Sequence, residues 1–292
     1  MAFDSIKKYL PSRKGLMGIN ARNLDMIYVY NPRRHFPNVD DKIRCKILLA
    51  EKGIPTPETY HIVDGPSSLA AWREKLAGRN EFVIKPNSSY GGKGIVLVAR
   101  DGARFHSSEG PWEAEDVDFH LKQILNGAFA LDNMADTAFF EQKLDNDPGI
   151  EAFLPPGIHG VADVRIIFLE EKPIMAMLRV PTRESHGKAN LHQGGIGIGV
   201  DSETGLTLDG CHRNKIIDKH PETGQPLRGR PIPHYARMLE IGSRVGDIVE
   251  LGYIGIDFVI DRTAGPLILE VNGHPGLNIQ IANRAGLKSR LV

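Results

Sequence analysis

Two short runs near the end of this 292-residue chain carry oxygen donors at a spacing that suits a hard cation. In PLILEVN, Glu270 and Asn272 stand at i and i+2, so in a strand both side chains leave the same face. Asp257, in GIDFVID, lies 13 residues before Glu270, and the DRTAG turn between the runs would set the two strands side by side. Two carboxylates and an amide oxygen converging from neighbouring strands suit Mg²⁺, which keeps water and phosphate oxygens in its remaining positions. Structural calcium binding is another use of the same donors. A third reading makes Asp257 and Glu270 exposed positions of an amphipathic hairpin. The apolar neighbours Ile256, Phe258, Leu269 and Val271 weigh against it.

A second constellation is FVIKPNSSYGGKGIVLV. A lysine at a strand end followed by a glycine-rich turn suits phosphate, because glycines let backbone N–H groups approach an anion and Lys85 and Lys93 add charge. It is not a P-loop, since no GxxxxGK[ST] run is present, and a turn of this kind also serves simply to join two strands. Lys42, alone, reads as a solvated residue in the first turn of a helix. The polar loop KANLHQGG holds Lys188, Asn190 and His192, but no second His or Cys stands at zinc-ligand spacing. Cys45 lies in a helix pattern and Cys211 in a polar stretch, with no Cys–His arrangement legible.

The elements that must carry these groups alternate between strand and helix. Asp40-Asp41 ahead of KIRCKILLAEKG predicts a capped helix stopped by Gly53. IPTPETYHIV leads into a strand, SSLAAWREKLAG is a helix, and EFVIKP and IVLVAR flank the glycine turn as a hairpin. Residues 103–113 read as an insertion loop, 115–126 as a helix and AFFEQKL as a strand. DVRIIFLEEKPIMAMLRV gives two strands around a turn. PHYARMLEIGSRVGDIVEL is the longest amphipathic helix pattern, and 209–230 read as an exposed polar loop. Residues 1–40 read as a short helix near 3–10 followed by basic, turn-rich coil.

Composition narrows the field. Apolar residues make up 41% and charged residues 25%, ordinary for a globular chain able to bury a core without staples. Lys plus Arg and Asp plus Glu both number 36, a balance that argues against a dedicated binder of nucleic acid or anionic membrane. With only two cysteines, a disulfide framework is excluded and a reducing compartment fits. No apolar run approaches the ~18–20 residues of a membrane span, and the N-terminus lacks a secretory apolar core. A cytoplasmic location is the expectation.

Taken in order, Lys42 at a helix start, GIPTP, VIKPNSSYGGKGI, FFEQKL, ADVRI, KANLHQGG, GIDFVID and LEVNGHPGL resemble an ATP-grasp enzyme, and most closely the RimK-type α-L-glutamate ligase group. The resemblance covers roughly residues 40–280; LEVN…PG and NLH.GG are its specific parts. It implies an α+β ATP-grasp fold, with two α/β subdomains clasping ATP between antiparallel sheets. The N-terminal domain that usually precedes the first lysine would be reduced or absent. Residues 1–39 would then be a basic extension and 40–285 the ATP-grasp domain. About 55–140 would form the subdomain with the glycine flap, and about 141–285 the subdomain with the metal site.

Carried residue by residue, the resemblance makes Lys42 and Lys85 the lysines that reach the nucleotide phosphates. It makes Ser88, Gly91, Gly92, Lys93 and Gly94 part of the flap over them. Gln142, Lys143 and Leu144 match the hinge whose backbone reads adenine. Asp163 matches a nucleotide-contacting acid, and Lys188, Ala189 and Asn190 the nucleotide-side loop, where Lys188 and Ala189 replace the family's usual Arg and Ser. Arg165 and Arg179 match basic positions facing the reaction centre, and Asp257, Glu270 and Asn272 match the magnesium ligands, with Mn²⁺ as a substitute ion. The implied activity is ATP-dependent ligation of a carboxylate to an amine through an acyl phosphate. Glutamate or a similar amino acid would join a peptide, protein or small-molecule acceptor, with neither nucleic acid nor membrane as partner and an oligomer allowed. In that scheme Arg179, Lys85 and Arg165 carry the catalysis, and residues 1–39 or the 209–230 loop contact the acceptor. An ATP-binding module without ligase activity and a small-molecule kinase on the same fold are the competing readings.

Overall fold

The computed structural model describes residues 15–89, 91–102, 104–108, 110–130, 133–158 and 160–291. The helix expected near 3–10 lies outside them. The chain divides into two compact units: a smaller one of Asp41–Ile43 and Pro57–Leu144, and a larger one formed by the other described residues.

The smaller unit is built on six strands: β1 (Thr59–Val63), β2 (Glu81–Pro86), β3 (Val96–Asp101), β4 (Arg104–Ser107), β5 (Gly110–Trp112) and β6 (Ala138–Glu141). Their order is β1-β6-β2-β3-β4-β5, antiparallel throughout. Alternation in β2 sends Phe82 and Ile84 to one face, where they bury against Trp72 and Leu76 from one helical segment and Val117, Leu121 and Ile124 from another. The helix Ala114–Leu125 forms because its apolar residues recur at helical spacing and Asp116 accepts the N–H of Glu113 at 2.8 Å, closing its first turn. Each such buried side chain contributes ~1.5–3 kcal/mol. Lys85, one residue after Ile84, leaves by the opposite face. The segment 103–113, expected as an insertion loop, instead extends the sheet as β4 and β5. Phe105 opposes Trp112 across the pair and packs at 6.0 Å from Trp72, and that apolar area outweighs the polar residues around it.

The larger unit holds seven strands: β7 (Asp163–Leu169), β8 (Lys172–Val180), β9 (Ile196–Val200), β10 (Thr207–His212), β11 (Lys215–Ile217), β12 (Tyr253–Asp261) and β13 (Gly265–Asn272). The order is β11-β10-β9-β8-β7-β12-β13. One face carries Val164, Ile166, Leu178, Ile256 and Phe258 and buries against Met238, Ile241, Val245 and Val249, together with Cys45 and Leu49 of the helix Lys42–Glu51. The expected long amphipathic helix is present as Tyr235–Ser243 and Val245–Val249, interrupted at Arg244. The other face carries Ile167, Met175, Met177 and Tyr253. It is covered by Met17, Met26 and Ile27 from the start of the chain and by Ile279, Ala282 and Leu287 from its end.

Two expectations fail in this unit. Residues 15–40 are largely helical rather than turn-rich coil, and they supply buried side chains. Their fixed point is Asn31: its amide accepts the Tyr253 N–H at 2.8 Å and donates to the carbonyls of Tyr253 at 2.8 Å and Gly273 at 3.0 Å. A side-chain amide imitates a peptide group here, and its polarity hides that from pattern reading. The 209–230 region is not an exposed loop either. It contributes β10 and β11 to the sheet edge and buries Cys211, His220 and Leu227.

Replacing Asn31 with Ala leaves three buried backbone groups without partners, each costing ~1–3 kcal/mol. The urea midpoint should fall by the equivalent of about 3 kcal/mol or more at constant m-value. An unchanged midpoint would mean that the segment does not brace the sheet.

Candidate active site

On the larger sheet, β7, β8, β12 and β13 bring six predicted residues to one face. Asp163 opposes Arg179 across β7–β8, Arg165 opposes Asp257 across β7–β12, and Asp257 opposes Glu270 across β12–β13, with Asn272 two positions on. The intervening residues Val164, Ile256 and Val271 point into the core, which is why the strand period delivers the polar set to a single surface.

Asp257 is the centre of this set. Arg165 grips it with Nε on Oδ1 at 2.6 Å and Nη2 on Oδ2 at 2.7 Å, and Arg179 Nη2 reaches Oδ2 at 2.7 Å. Arg179 Nε also donates to Asp163 Oδ1 at 2.6 Å, and Asn272 Nδ2 lies 3.4 Å from Asp257 Oδ2. The Asp257 side chain is 2% exposed and those of the arginines 13% and 15%. Burial opposes ionisation of Asp257, yet the charges of Arg165 and Arg179 outweigh it and hold the carboxyl below its ordinary value. Asp163 goes the other way: burial pushes its carboxyl up to about 6, Arg179 pulls against that rise, and the Asp257 charge adds to it. Burial alone would lower the Arg179 value, but the two aspartates raise it.

Three carboxylates, Asp163, Asp257 and Glu270, face two guanidiniums. The donor set Asp257, Glu270 and Asn272 consists of hard oxygens from one sheet face, which fits a magnesium ion by chemistry. Both oxygens of Asp257 are here engaged by arginine. Among the described residues no group of three or more His, Cys, Asp or Glu side chains gathers as a metal site.

The smaller unit carries the predicted phosphate-handling residues. Lys85 pairs with Glu141, whose side chain is only 3% exposed, and the lysine itself is 12% exposed. Lys42 Nζ donates to the carbonyls of Asn87 at 2.9 Å and Ser89 at 2.8 Å, at the root of the glycine loop. The Asn87 side chain accepts the Ile43 N–H at 2.9 Å. Both oxygens of Asp136 lie 3.0 Å from the Ser88 N–H. At the loop's far end the Gly94 carbonyl meets His120 Nε2 at 2.9 Å. Gly94 has φ +72°, and a Cβ there would fall 2.6 Å from the Phe129 ring, so both conformation and space require glycine. Gly91 and Gly92 also adopt positive φ, and Lys93 is exposed. The Gln142 N–H donates to Glu58 at 2.9 Å, Lys143 pairs with Glu81 at 3.1 Å, and Leu144 is buried.

In the larger unit, Lys188, Ala189 and Asn190 lie on the loop between β8 and β9. Asn190 Oδ1 accepts the His192 N–H at 3.0 Å, and Lys188 is exposed. Sequence reasoning missed Glu141, Asp136, Asn87 and His120. Glu141 had a usable signal: it is a charge in the apolar run AFFE, the same reasoning that singled out Asp257. Asp136, Asn87 and His120 act through backbone groups and leave no such mark.

Residues 21–292 match the family described as "Sugar-transfer associated ATP-grasp", and the chain belongs to that family. Its fold is the ATP-grasp fold. A probable α-L-glutamate ligase 2 of Hahella chejuensis is 24% identical over 253 residues, 86% of this chain and 60% of the relative, so the chain spans well under the relative's full length. D-alanyl-alanine synthetase A of Vibrio cholerae superposes with a TM-score of 0.52 at 11% identity, covering 88% of this chain and 62% of that one. An ATP-grasp RimK domain protein of Sphaerobacter thermophilus gives a TM-score of 0.48 at 14% identity, with coverage of 90% and 71%.

Asp163 provides a pH test. Its folded-state value of about 6 lies above the ordinary 3.8, so its contribution to stability is full below 3.8 and lost as pH rises through about 6. The stability of the wild type relative to Asp163→Asn should therefore fall as pH is raised through that window, read from urea midpoints at stepped pH. A gap that widens with pH would mean that Arg179 overrides burial.

Proposed function

We propose that this chain is an ATP- and Mg²⁺-dependent carboxylate–amine ligase that adds glutamate or a similar amino acid to a peptide, protein or small-molecule acceptor. The observation that carries the reading is the single polar surface of the larger sheet. There two arginines and three hard-oxygen donors share one face, beside a paired aspartate, in a chain of the ATP-grasp family. A surface of that composition suits transfer of a phosphoryl group, where the protein's task is positioning and charge neutralisation.

In this reading a substrate carboxylate oxygen attacks the γ-phosphorus of ATP, the bond to the β-phosphate oxygen breaks, and ADP leaves. The amine nitrogen then attacks the acyl carbon. The carbon–oxygen bond to phosphate breaks, phosphate departs with the electron pair, and the nitrogen sheds its proton. Lys42 and Lys85 offset phosphate charge. Arg179 stabilises charge on the group in transfer, and Arg165 supports it from the neighbouring strand. The glycine loop, held at its root by Lys42 and Asp136, excludes water from the acyl phosphate. Asp257, Glu270 and Asn272 would hold Mg²⁺, which when bound supplies Lewis-acid neutralisation of phosphate oxygens. No nucleophilic side chain is required. Gln142, Lys143 and Leu144 are the proposed adenine-side hinge, and Lys188, Ala189 and Asn190 the proposed nucleotide-side loop.

The direct test is a screen of amino acids crossed with amine acceptors, read as ADP release together with product mass. An amide with free phosphate supports the reading, whereas a stable phosphorylated product indicates a kinase. Two variants sharpen it. Lys85→Ala removes a charge-assisted contact worth ~1.5–3 kcal/mol and should weaken ATP binding on the order of tenfold or more. Glu270→Gln keeps the side-chain size but removes a charge, and should abolish turnover with the unfolding midpoint preserved. Wild-type ATP affinity in Lys85→Ala would contradict the assignment.

A further inference from the structure

The loop between β8 and β9 carries Lys188, Ala189 and Asn190, and contacts from elsewhere in the larger unit decide its shape. At one end Glu222 accepts twice from Arg183: the backbone N–H to Oε1 at 3.0 Å and Nη1 to Oε2 at 2.9 Å. At the other end His212 Nε2 meets the Gly194 carbonyl at 3.1 Å, and Arg213 pairs with Glu184, the residue after Arg183. Glu222, His212 and Arg213 all belong to the β10–β11 hairpin and the turn after it.

That turn is itself held from within. His220 is 2% exposed, and its Nδ1 accepts the N–H groups of Glu222 at 3.1 Å and Thr223 at 3.3 Å. Two acceptor bonds at Nδ1 put the ring proton on Nε2 and keep the imidazole neutral, which agrees with burial lowering its value. Inside the loop, buried Thr182 and Ser185 exchange backbone-to-hydroxyl bonds at 2.8 and 3.1 Å, and Thr182 Oγ1 donates to Gly194 at 2.9 Å. The Lys188 N–H returns to Ser185 at 3.1 Å. Gly194 has φ +96°, and a Cβ there would lie 2.7 Å from the Glu184 carboxyl carbon. The loop is thus held at Arg183 and Glu184 at its start and at Gly194 at its end, with Lys188, Ala189 and Asn190 between them.

We propose that Glu222 is a positioning residue: through Arg183 it sets the conformation of loop 182–195 in which Lys188 and Asn190 meet nucleotide. The 209–230 region thereby acts on the nucleotide side. The nucleotide part of this inference rests on the ligase reading.

Hydrogen–deuterium exchange and calorimetric binding of a non-hydrolysable ATP analogue, both on the full chain, test it. Glu222→Ala should speed exchange of the 182–195 amides by about tenfold or more with β7–β9 unaffected, and weaken the analogue by about tenfold. Glu222→Gln keeps an oxygen for the Arg183 N–H and should stay within about threefold of wild type on both readouts. Unchanged loop exchange in Glu222→Ala, faster exchange spread across the sheet, or unchanged analogue affinity beside a loosened loop would each overturn the proposal. Should the wild type itself bind no nucleotide while the faster exchange stays confined to the loop, the ligase reading falls and the positioning of the loop by Glu222 stands.

Discussion

A buried carboxylate must be compensated, and in this protein the larger sheet is arranged around that requirement. Asp257 sits in the middle of β12, the strand whose residues are buried throughout, and an unpaired charge there would cost several kcal/mol. Its cross-strand neighbour on β7 is Arg165, and Arg179 on β8 reaches it from one strand further. Pairing register and side-chain charge therefore depend on one another. A one-residue slip of β7 would turn Arg165 into the apolar layer and leave Asp257 uncovered. Buried ion pairs of this kind stabilise little compared with apolar replacements, so their presence points to chemistry more than to stability.

The electrostatics of the cluster are graded. Asp257 faces two guanidiniums and stays ionised, whereas Asp163 faces one and is pushed towards the neutral form. Arg179 bridges the two. The smaller unit shows comparable economy. Lys85 is held by Glu141, Lys42 by two loop carbonyls, and the glycine loop is fastened at each end by a side chain outside it.

Much of this was legible in the sequence, for a physical reason. Strand period two places Glu270 and Asn272 on one face whatever the tertiary context, and apolar flanks reveal that Asp257 is not a surface residue. The order of GIPTP, the glycine loop and LEVN then supported the family. What could not be read were contacts in which a polar side chain serves backbone: Asn31 on Tyr253, Asp136 on Ser88, His220 on its own turn. Polar composition also misled in 103–113 and 209–230. A few apolar residues there, Phe105 and Trp112 in one and Cys211 and Leu227 in the other, bury enough area to make strand or core out of sequence that reads as loop.

The central claim is that a carboxylate is activated as an acyl phosphate on the Asp163–Asp257 surface. The most direct measurement supplies an amino acid whose carboxylate carries heavy-oxygen label and follows the label by mass spectrometry. The account predicts that a labelled oxygen appears in the released inorganic phosphate, in step with amide formation, and that Arg179→Ala suppresses both together. Phosphate released without label, or label retained in a stable phosphorylated product, would contradict it.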